Sequence, residues 1–276
     1  MKRPSWQLPA GVDRGTWDYI ESTSIADQYE EFLDSHALFQ LDTSIVQEQI
    51  AELTRIHRSR PLVAADLGCG TGRIARRFGA QLPSDTATDD QLAETRWINI
   101  DLSQPMLCES QNLRPSASDG VFEVRGNLSE LAFLRDESLH LCVCLFSSIG
   151  MVRGRANRRQ LLSGVSRALR PGGRLLVHVH NRYHSLFEPG GIRWLLTSYA
   201  NSFRRGQEFG DRVYPYRGLP AMFLHIYSRG ELLRDLGSAG FRKVDILSVS
   251  SDGSALLPRR PFNRIRSGGF MAVAQM

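Results

Sequence analysis

Residues 62–72 read LVAADLGCGTG, and this stretch decides the fold. An apolar run of strand character ends at Asp66, and three glycines follow at alternate positions, Gly68, Gly70 and Gly72. The next segment, RIARRFGAQL, has apolar residues at the three- and four-residue spacing of a helix face. A strand, a tight glycine turn and a helix in this order form the first unit of a nucleotide-binding α/β sheet.

The acid before the glycines distinguishes between ligands. A dinucleotide fingerprint is G-x-G-x-x-G, whereas this chain has D-x-G-x-G-x-G from Asp66 onward. A carboxylate at this point would repel a diphosphate, and it suits a ligand with an ammonium group and no phosphate. S-adenosyl-L-methionine (SAM) is such a ligand. A glycine turn without a ligand and a NAD-type nucleotide site are the alternatives.

The same residues resemble the first motif of the class I (Rossmann-like) SAM-dependent methyltransferases of the type 11/25 kind, (V/L)-(L/V)-(D/E)-x-G-x-G-x-G. The resemblance is good over residues 41–180 and loose over 226–276, while residues 181–225 match no motif of the family. It implies SAM as the cofactor and methyl transfer as the activity.

Strand-like and helix-like segments alternate along the chain, which predicts an α/β fold. Predicted strands cover residues 62–66, 97–101, 121–125, 139–146, 174–180, 241–249 and 268–275. They indicate a doubly wound, seven-stranded, mostly parallel sheet with helices on both faces. The last two predicted strands have no helix between them, which suits an antiparallel last strand. The resemblance implies the same arrangement. We divide the chain into an N-terminal lead-in and lid helix (1–40) and a methyltransferase domain (41–276) with a substrate-side insertion (181–225).

In such a sheet, ligands bind beyond the carboxyl ends of the strands. The resemblance therefore implies cofactor contacts from Asp66, Gly68, Cys69, Gly70, Thr71, Gly72, Arg73, Asp101, Leu102, Met106, Asn127, Leu128, Phe146 and Ser147. Asp66 would meet the SAM ammonium group, and Asp101 would accept from both ribose hydroxyls or cap a helix. Arg73 would pair with the SAM carboxylate, or it is a solvated helix arginine.

The remaining cofactor contacts concern the adenine and the methionine chain. Leu102 and Met106 would wall the adenine, although core packing explains them as well. Asn127 stands where the family more often has Asp, and its carbonyl oxygen can still accept from the adenine amine. Phe146 and Ser147 would lie under the methionine chain.

Histidines after the fifth predicted strand are the candidates for a general base. His180 and His184 lie where the methyl group is expected, so both are interpreted as catalytic or substrate-contacting residues, whereas His178 suits a structural role. Tyr29, on the N-terminal helix, would cover the site as a lid or serve only helix packing.

Composition limits the remaining possibilities. The 276 residues are 42% hydrophobic, enough for one substantial core. No apolar run approaches the ~20 residues that span a bilayer, so no membrane partner is expected. The N-terminus lacks the apolar region of a signal peptide. The four cysteines form no CxxC pair, so we expect no metal site and a cytoplasmic location.

Aromatic and arginine residues alternate in the insertion, and this pattern leaves the methyl acceptor open. They could cover a small-molecule pocket, with the acceptor atom O or N, or stack on bases and meet phosphates of a tRNA or other RNA. We favour the small molecule. A non-catalytic SAM-binding protein and a NAD(P)-dependent oxidoreductase are further alternatives, and Asp66 argues against the latter.

Overall fold

The computed structural model describes residues 7–34, 36–57, 61–79, 95–114 and 120–276. The polar sequence of residues 81–95 indicates a loop, and Arg60-Pro61 indicates the end of a long helix. Residues 81–94 and Arg60 lie outside the described ranges. Within the described residues the mixed α/β architecture is confirmed. No helix among them is long and apolar enough to pass through a lipid bilayer.

The strands form one large sheet and one separate hairpin. They are β1 (Leu62–Leu67), β2 (Thr95–Asp101), β3 (Val121–Arg125), β4 (Leu139–Cys144), β5 (Leu169–His180), β6 (Asp211–Tyr216), β7 (Leu219–His225), β8 (Lys243–Val249), β9 (Leu256–Leu257) and β10 (Gly269–Gln275). The large sheet has the order β3-β2-β1-β4-β5-β10-β8-β9, and β6 pairs only with β7. The sheet thus has eight strands rather than seven, because the two-residue strand β9 pairs with β8.

Strands β1 to β5 run parallel, and β10 runs antiparallel between β5 and β8. The predicted antiparallel last strand is therefore confirmed. Gly269, at the start of β10, lies opposite His180 at the end of β5. Strand β5 also begins earlier than expected, since Pro171-Gly172-Gly173 lies inside it beside an irregular register with β4 and does not precede it.

Helices cover both faces of the sheet. They are α1 (Arg14–Ile20), α2 (Thr23–Asp27), α3 (Tyr29–Asp34), α4 (Ala37–Ile56), α5 (Arg73–Phe78), α6 (Gln104–Asn112), α7 (Ser148–Met151), α8 (Arg155–Ala168), α9 (Gly191–Asn201), α10 (Arg229–Ser238) and α11 (Asn263–Arg266). One apolar cluster joins the sheet to α8 and α10, and a second joins it to α4 and α5. Strand β4 lies between them and is buried along its whole length.

The N-terminal segment is more ordered than its Pro- and Gly-rich sequence indicates. Asp13 caps α1 by accepting from the Thr16 N–H at 2.9 Å. A helix therefore begins within residues 1–18, whose composition favours irregular structure. The helical pattern over residues 19–57 is divided among α2, α3 and α4 rather than continuous. Gly15 lies against the backbone of Ala221 in β7, where a Cβ atom would collide with the carbonyl oxygen. Helix α1 therefore packs closely on the insertion.

The insertion itself consists of a 3-10 helix (Arg182–Phe187), helix α9 and the β6–β7 hairpin. The mixture of aromatic and arginine residues in the insertion did not predict this hairpin. Its signal is present in the sequence, because Arg217-Gly218 separates two runs rich in aromatic and apolar residues.

Candidate active site

A cavity lies beyond the carboxyl ends of β1, β2 and β4, where the glycine motif places a ligand. Its empty volume is about 1020 Å³ with the open mouth included. Of the residues predicted to bind cofactor, those that line this cavity are Asp66, Gly68, Cys69, Gly70, Arg73, Asp101, Leu102, Met106, Asn127, Leu128 and Phe146. We call it the cofactor cavity.

The glycine turn is shaped by close approaches at two positions. Gly68 and Gly70 have φ angles of 74° and 57°, which only glycine adopts readily. A Cβ atom on Gly68 would lie 2.7 Å from the side chain of Ser148, and one on Gly70 would lie 3.3 Å from the Tyr29 ring. The turn thus keeps backbone, rather than side chains, at the cavity wall.

Asp101 is fixed by two backbone donors. The Gly70 N–H donates to Oδ2 at 2.9 Å, and the Ser103 N–H donates to Oδ1 at 2.8 Å. Burial raises the pKa of Asp101, and these donors oppose the rise. Each carboxylate oxygen keeps a further lone pair that can face a ligand hydroxyl. The cap of α6 is Ser103, whose hydroxyl accepts from the Met106 N–H, so Asp101 is not needed for capping.

Asp66 lies at the base of the cavity with only 4% of its surface exposed. Burial raises its pKa to about 7; Arg73 opposes this rise, and the nearby Asp101 and Asp42 add to it. A carboxyl group with this pKa is partly protonated at neutral pH. A cation bound beside it would stabilise the ionised form.

Arg73 is held at the cavity by helix α4 and is not a solvated helix arginine. Its guanidinium contacts Asp42 Oδ2 at 2.5 Å and Thr43 Oγ1 at 3.0 Å, and it lies 4.7 Å above the Phe39 ring. Burial raises the pKa of Asp42 to about 6 despite this pairing. Arg73 is therefore a positioned cation at the cavity wall, and its pairing with a ligand carboxylate stays a prediction.

Three residues predicted as cofactor contacts lie behind the cavity wall. Thr71 is buried and donates its hydroxyl to Glu30 Oε1 at 2.6 Å. Gly72 packs against β2 and α6, where a Cβ atom would collide with Ser110 Oγ. Ser147 is buried, and its N–H donates to the His178 carbonyl at 3.1 Å. These residues position the turns after β1 and β4.

The adenine end is defined less sharply. Asn127 Oδ1 accepts from the Ser129 N–H, and its Nδ2 donates to the Ala10 carbonyl, both at 3.0 Å. The side chain is therefore oriented by local partners, with its carbonyl oxygen partly used. Leu102, Leu128 and the buried Met106 add apolar surface at the same side of the cavity.

Sequence reasoning named Tyr29 as a lid residue but missed the contribution of residues 11–20 to this cavity. Further wall residues there are Gly11, Val12, Thr16, Tyr19 and Ile20, and Phe39 and the predicted lid residue Tyr29 also line it. The Tyr19 ring lies 6.1 Å from that of Tyr216, and Arg217 lies 5.9 Å from the Tyr29 ring. The N-terminal helices and the turn of the β6–β7 hairpin thus meet over the cofactor cavity.

A second cavity lies on the other side of Phe146, which lines both. His180 and His184 are in its wall, together with His178, Glu188, Arg212 and Tyr214. Burial lowers the pKa of His180 to about 4; Glu188 opposes this, and His184 adds to it. His180 is therefore neutral at physiological pH. The His184 Nδ1–H donates to the Arg266 carbonyl at 3.1 Å. We call this the histidine cavity.

The φ angles of Phe146 and Ser147 are 49° and 63°, an uncommon conformation for residues other than glycine. The Phe146 ring lies 4.9 Å from that of Phe39 and 6.2 Å from that of His180. The tight turn after β4 therefore places Phe146 as a partition between the two cavities.

One group of side chains in the described ranges has the spacing of metal ligands, namely Glu208, His225 and Glu231, whose ligand atoms lie within 4.8 Å of one another. Arg158 pairs with Glu208 at 2.6 Å, and Arg182 pairs with Glu231. Because the arginines already compensate these carboxylates, the group is better described as a buried ion-pair network than as a cation site.

Comparison with known proteins agrees with the fold and the motif. The family model for the methyltransferase domain matches residues 64–173, which include the glycine turn, Asp101 and the turn after β4. Among curated proteins, none matches the sequence of this chain.

Several solved structures are similar to this chain in fold, at low sequence identity. A SAM-dependent methyltransferase from Methanosarcina mazei has a TM-score of 0.55 at 17% identity, over 80% of this chain and 95% of the other. One from Mesorhizobium loti has a TM-score of 0.55 at 16% identity, over 88% and 100%. A possible histamine N-methyltransferase from Thermotoga maritima has a TM-score of 0.51 at 18% identity, over 92% and 96%.

Proposed function

We propose that this chain, whose residues 64–173 match the methyltransferase-domain model, is a class I SAM-dependent methyltransferase that methylates an O or N atom of a small-molecule acceptor held in the histidine cavity. The observation that carries the proposal is that Phe146 lines both cavities. A donor in one and an acceptor in the other would meet at this residue. Methyl transfer requires such a meeting point, because nucleophile, carbon and leaving group must lie in line.

SAM, when bound, supplies an electrophilic methyl group. The residues that would hold it are those of the cofactor cavity. Asp101 offers two carboxylate oxygens to the ribose, and Asp66 offers a buried negative charge to the ammonium group. Arg73, already positioned by Asp42, offers a cation to the carboxylate. The donor set thus fits the charges of this cofactor at both ends of its amino-acid group.

In the histidine cavity, His180 is the better candidate for a general base than His184. His180 is neutral at physiological pH because burial lowers its pKa, so a ring nitrogen is free of a second proton. It would accept a proton from an acceptor hydroxyl or ammonium group. His184 is engaged with the Arg266 carbonyl and suits a contact with the acceptor.

A small acceptor is favoured over RNA because two arginines of the insertion, Arg182 and Arg212, are already paired with carboxylates. Arg182 is buried and pairs with Glu231, and Arg212 pairs with Glu188 at 3.3 Å. These side chains stabilise the insertion and are not available to phosphates. A SAM-binding protein without catalysis would need the passage beside Phe146 to be closed.

The test combines binding and transfer. S-adenosylhomocysteine should bind the purified chain in isothermal titration, and NADPH should not. Tritiated SAM should then label a small amine, phenol or carboxylic acid from a panel, while unmodified tRNA stays unlabelled. Labelled tRNA would replace the small-molecule proposal, and cofactor binding without labelling of any acceptor would favour the non-catalytic alternative.

A further inference from the structure

Helix α9, in the insertion, presents a row of large apolar side chains to solvent. Ile192, Leu196, Tyr199 and Phe203 are 59%, 66%, 54% and 77% exposed. Their spacing of four, three and four residues places them on one face of the helix, and Phe203 follows directly after its end. Leu195, by contrast, is buried against the protein. We call this row the α9 face.

Positive charge accompanies the α9 face. Arg193, Arg204 and Arg205 are exposed, and residues 189–207 contain no Asp or Glu. In the part of the chain that the structure describes, none of the three arginines forms an ion pair with a carboxylate. The arginines that do pair, such as Arg182 and Arg212, lie elsewhere in the insertion. Apolar and cationic side chains are therefore gathered on helix α9 and the turn that follows it.

The apolar surface continues beyond the helix. The 3-10 helix that precedes α9 packs against it, and its Leu186 and Phe187 are 42% and 52% exposed. The Phe187 ring lies 6.5 Å from that of Phe262, which is 58% exposed. An isolated exposed apolar residue needs no explanation, but a contiguous group of this kind indicates an interaction surface.

We propose that the α9 face docks the enzyme on an anionic lipid surface. An amphipathic helix with large apolar residues and arginines buries its apolar side at the boundary of headgroups and acyl chains, while the arginines meet lipid phosphates. This contact lies at the membrane surface and does not span it, and it departs from the sequence-based expectation of no membrane partner.

Two other occupants suit the face less well. RNA would stack on aromatic rings, yet Ile192 and Leu196, half of the row, are aliphatic and offer no π face. A second copy of the chain, related by two-fold symmetry, would bring the same arginines of two subunits together without carboxylates to offset them. A lipid surface satisfies both the aliphatic and the cationic side chains.

Co-sedimentation of the full chain with vesicles tests the proposal. Vesicles of phosphatidylcholine mixed with phosphatidylglycerol should retain the protein, vesicles of phosphatidylcholine alone should retain much less, and added salt should weaken binding. The double variant Leu196→Ser, Phe203→Ser should bind the mixed vesicles at least about tenfold more weakly, since each substitution removes a large apolar side chain from the contact. Arg204→Gln with Arg205→Gln should reduce the salt dependence.

Phe122→Ser is the matched control. Phe122 lies on β3 and is 58% exposed, so removing it should leave vesicle binding unchanged. S-adenosylhomocysteine binding should be equal in all variants, which separates a failure of this proposal from misfolding or from failure of the proposed function. Equal sedimentation of the wild type and the double variant overturns the proposal. The proposal is also overturned if the wild type is a dimer and the double variant is a monomer. The same holds if the wild type shifts tRNA in a gel and the double variant does not.

Discussion

The Gly70 N–H donates to Asp101 Oδ2 at 2.9 Å, so the glycine turn after β1 and the acid at the end of β2 form one hydrogen-bonded unit. The turn that would face the methionine part of SAM is therefore fixed by the side chain that would hold its ribose. A change at either residue is expected to affect both ends of the cofactor site.

Asp101→Ala should weaken S-adenosylhomocysteine binding about 100-fold or more in isothermal titration, since hydrogen bonds to a charged group contribute about 1.5–3 kcal/mol each. The variant also leaves the Gly70 and Ser103 N–H groups without their acceptor. Asp101→Asn should have a smaller effect, because one oxygen remains. Asp245→Ala, which removes an exposed partner of Arg259, is the control and should bind normally. Unchanged affinity in Asp101→Ala would mean that the ribose site is elsewhere.

Substitutions at two glycines of the motif should have different consequences. Gly72→Ala should lower the free energy of unfolding by about 2–4 kcal/mol, because φ is 72° and the new Cβ would collide with Ser110. Gly70→Val should abolish ligand binding, because its side chain would enter the cavity beside Tyr29. Urea unfolding and isothermal titration measure the two effects. Equal loss of stability in both variants would contradict the assignment of Gly70 to the cavity wall and of Gly72 to packing.

The glycine motif and the strands were predictable because they depend on local sequence. An apolar run followed by Asp66 and three glycines permits few structures, and a mostly parallel sheet follows from the alternation of strands and helices. The position of Arg73 was also predictable, since it begins α5. Its partner Asp42 was not, because the pair joins residues 31 positions apart on separate helices.

The roof of the cofactor cavity could not be predicted from local patterns. Gly11 and Tyr19 reach the cavity because α1 packs on β7, a contact between segments about 200 residues apart in the chain. The β6–β7 hairpin itself was predictable from Arg217-Gly218, although Pro215 within β6 obscures the strand pattern. Thr71, Gly72 and Ser147 pack behind the cavity and do not line its wall. Local sequence patterns do not show which side of a turn a residue faces, so this difference could not be predicted.

Cofactor binding should release protons near neutral pH because of Asp66. Burial raises its pKa to about 7, and the ammonium group of the ligand should lower it again. S-adenosylhomocysteine should therefore bind more tightly at pH 8 than at pH 6, with proton release below about pH 7. Titration in two buffers of different ionisation enthalpy measures this release.

The same carboxyl group has the opposite effect on stability. Since its pKa in the folded state is raised above the unfolded value of 3.8, it stabilises the ligand-free protein at low pH, and this contribution is lost as pH rises through about 7. Asp66→Asn should remove both the proton release and this loss, while weakening ligand binding. Proton release that persists in Asp66→Asn would assign it to another group.

His180→Gln should lower kcat of methyl transfer about 100-fold if His180 removes a proton from the acceptor, which is the scale of general base catalysis. Because burial lowers the pKa of His180 to about 4, the wild-type rate should not fall between pH 8 and pH 6 through this residue. His184→Gln should raise KM more than it lowers kcat. S-adenosylhomocysteine affinity should stay unchanged in both variants. Identical effects of the two substitutions on kcat and KM would contradict these assignments.

The network beneath the insertion should determine its acid stability. His225 Nδ1 faces Asp211 at 2.8 Å and its Nε2 faces Glu231 at 2.9 Å, while Arg182 pairs with the other oxygen of Glu231. Burial alone would raise the pKa of Glu231, but His225 and Arg182 outweigh it and lower the pKa to about 2.

The stabilisation from Glu231 is thus present above its unfolded pKa of 4.5 and is lost as pH falls toward about 2. Glu231→Gln should cost about 3–5 kcal/mol near neutral pH, because it leaves the buried Arg182 guanidinium without its charged partner. Thermal unfolding at pH 7 and pH 3 measures this, and the difference from the wild type should shrink at the lower pH. Glu48→Gln, which changes an exposed carboxylate on α4, is the control. A constant difference across this range would show that the loss comes from packing and not from charge.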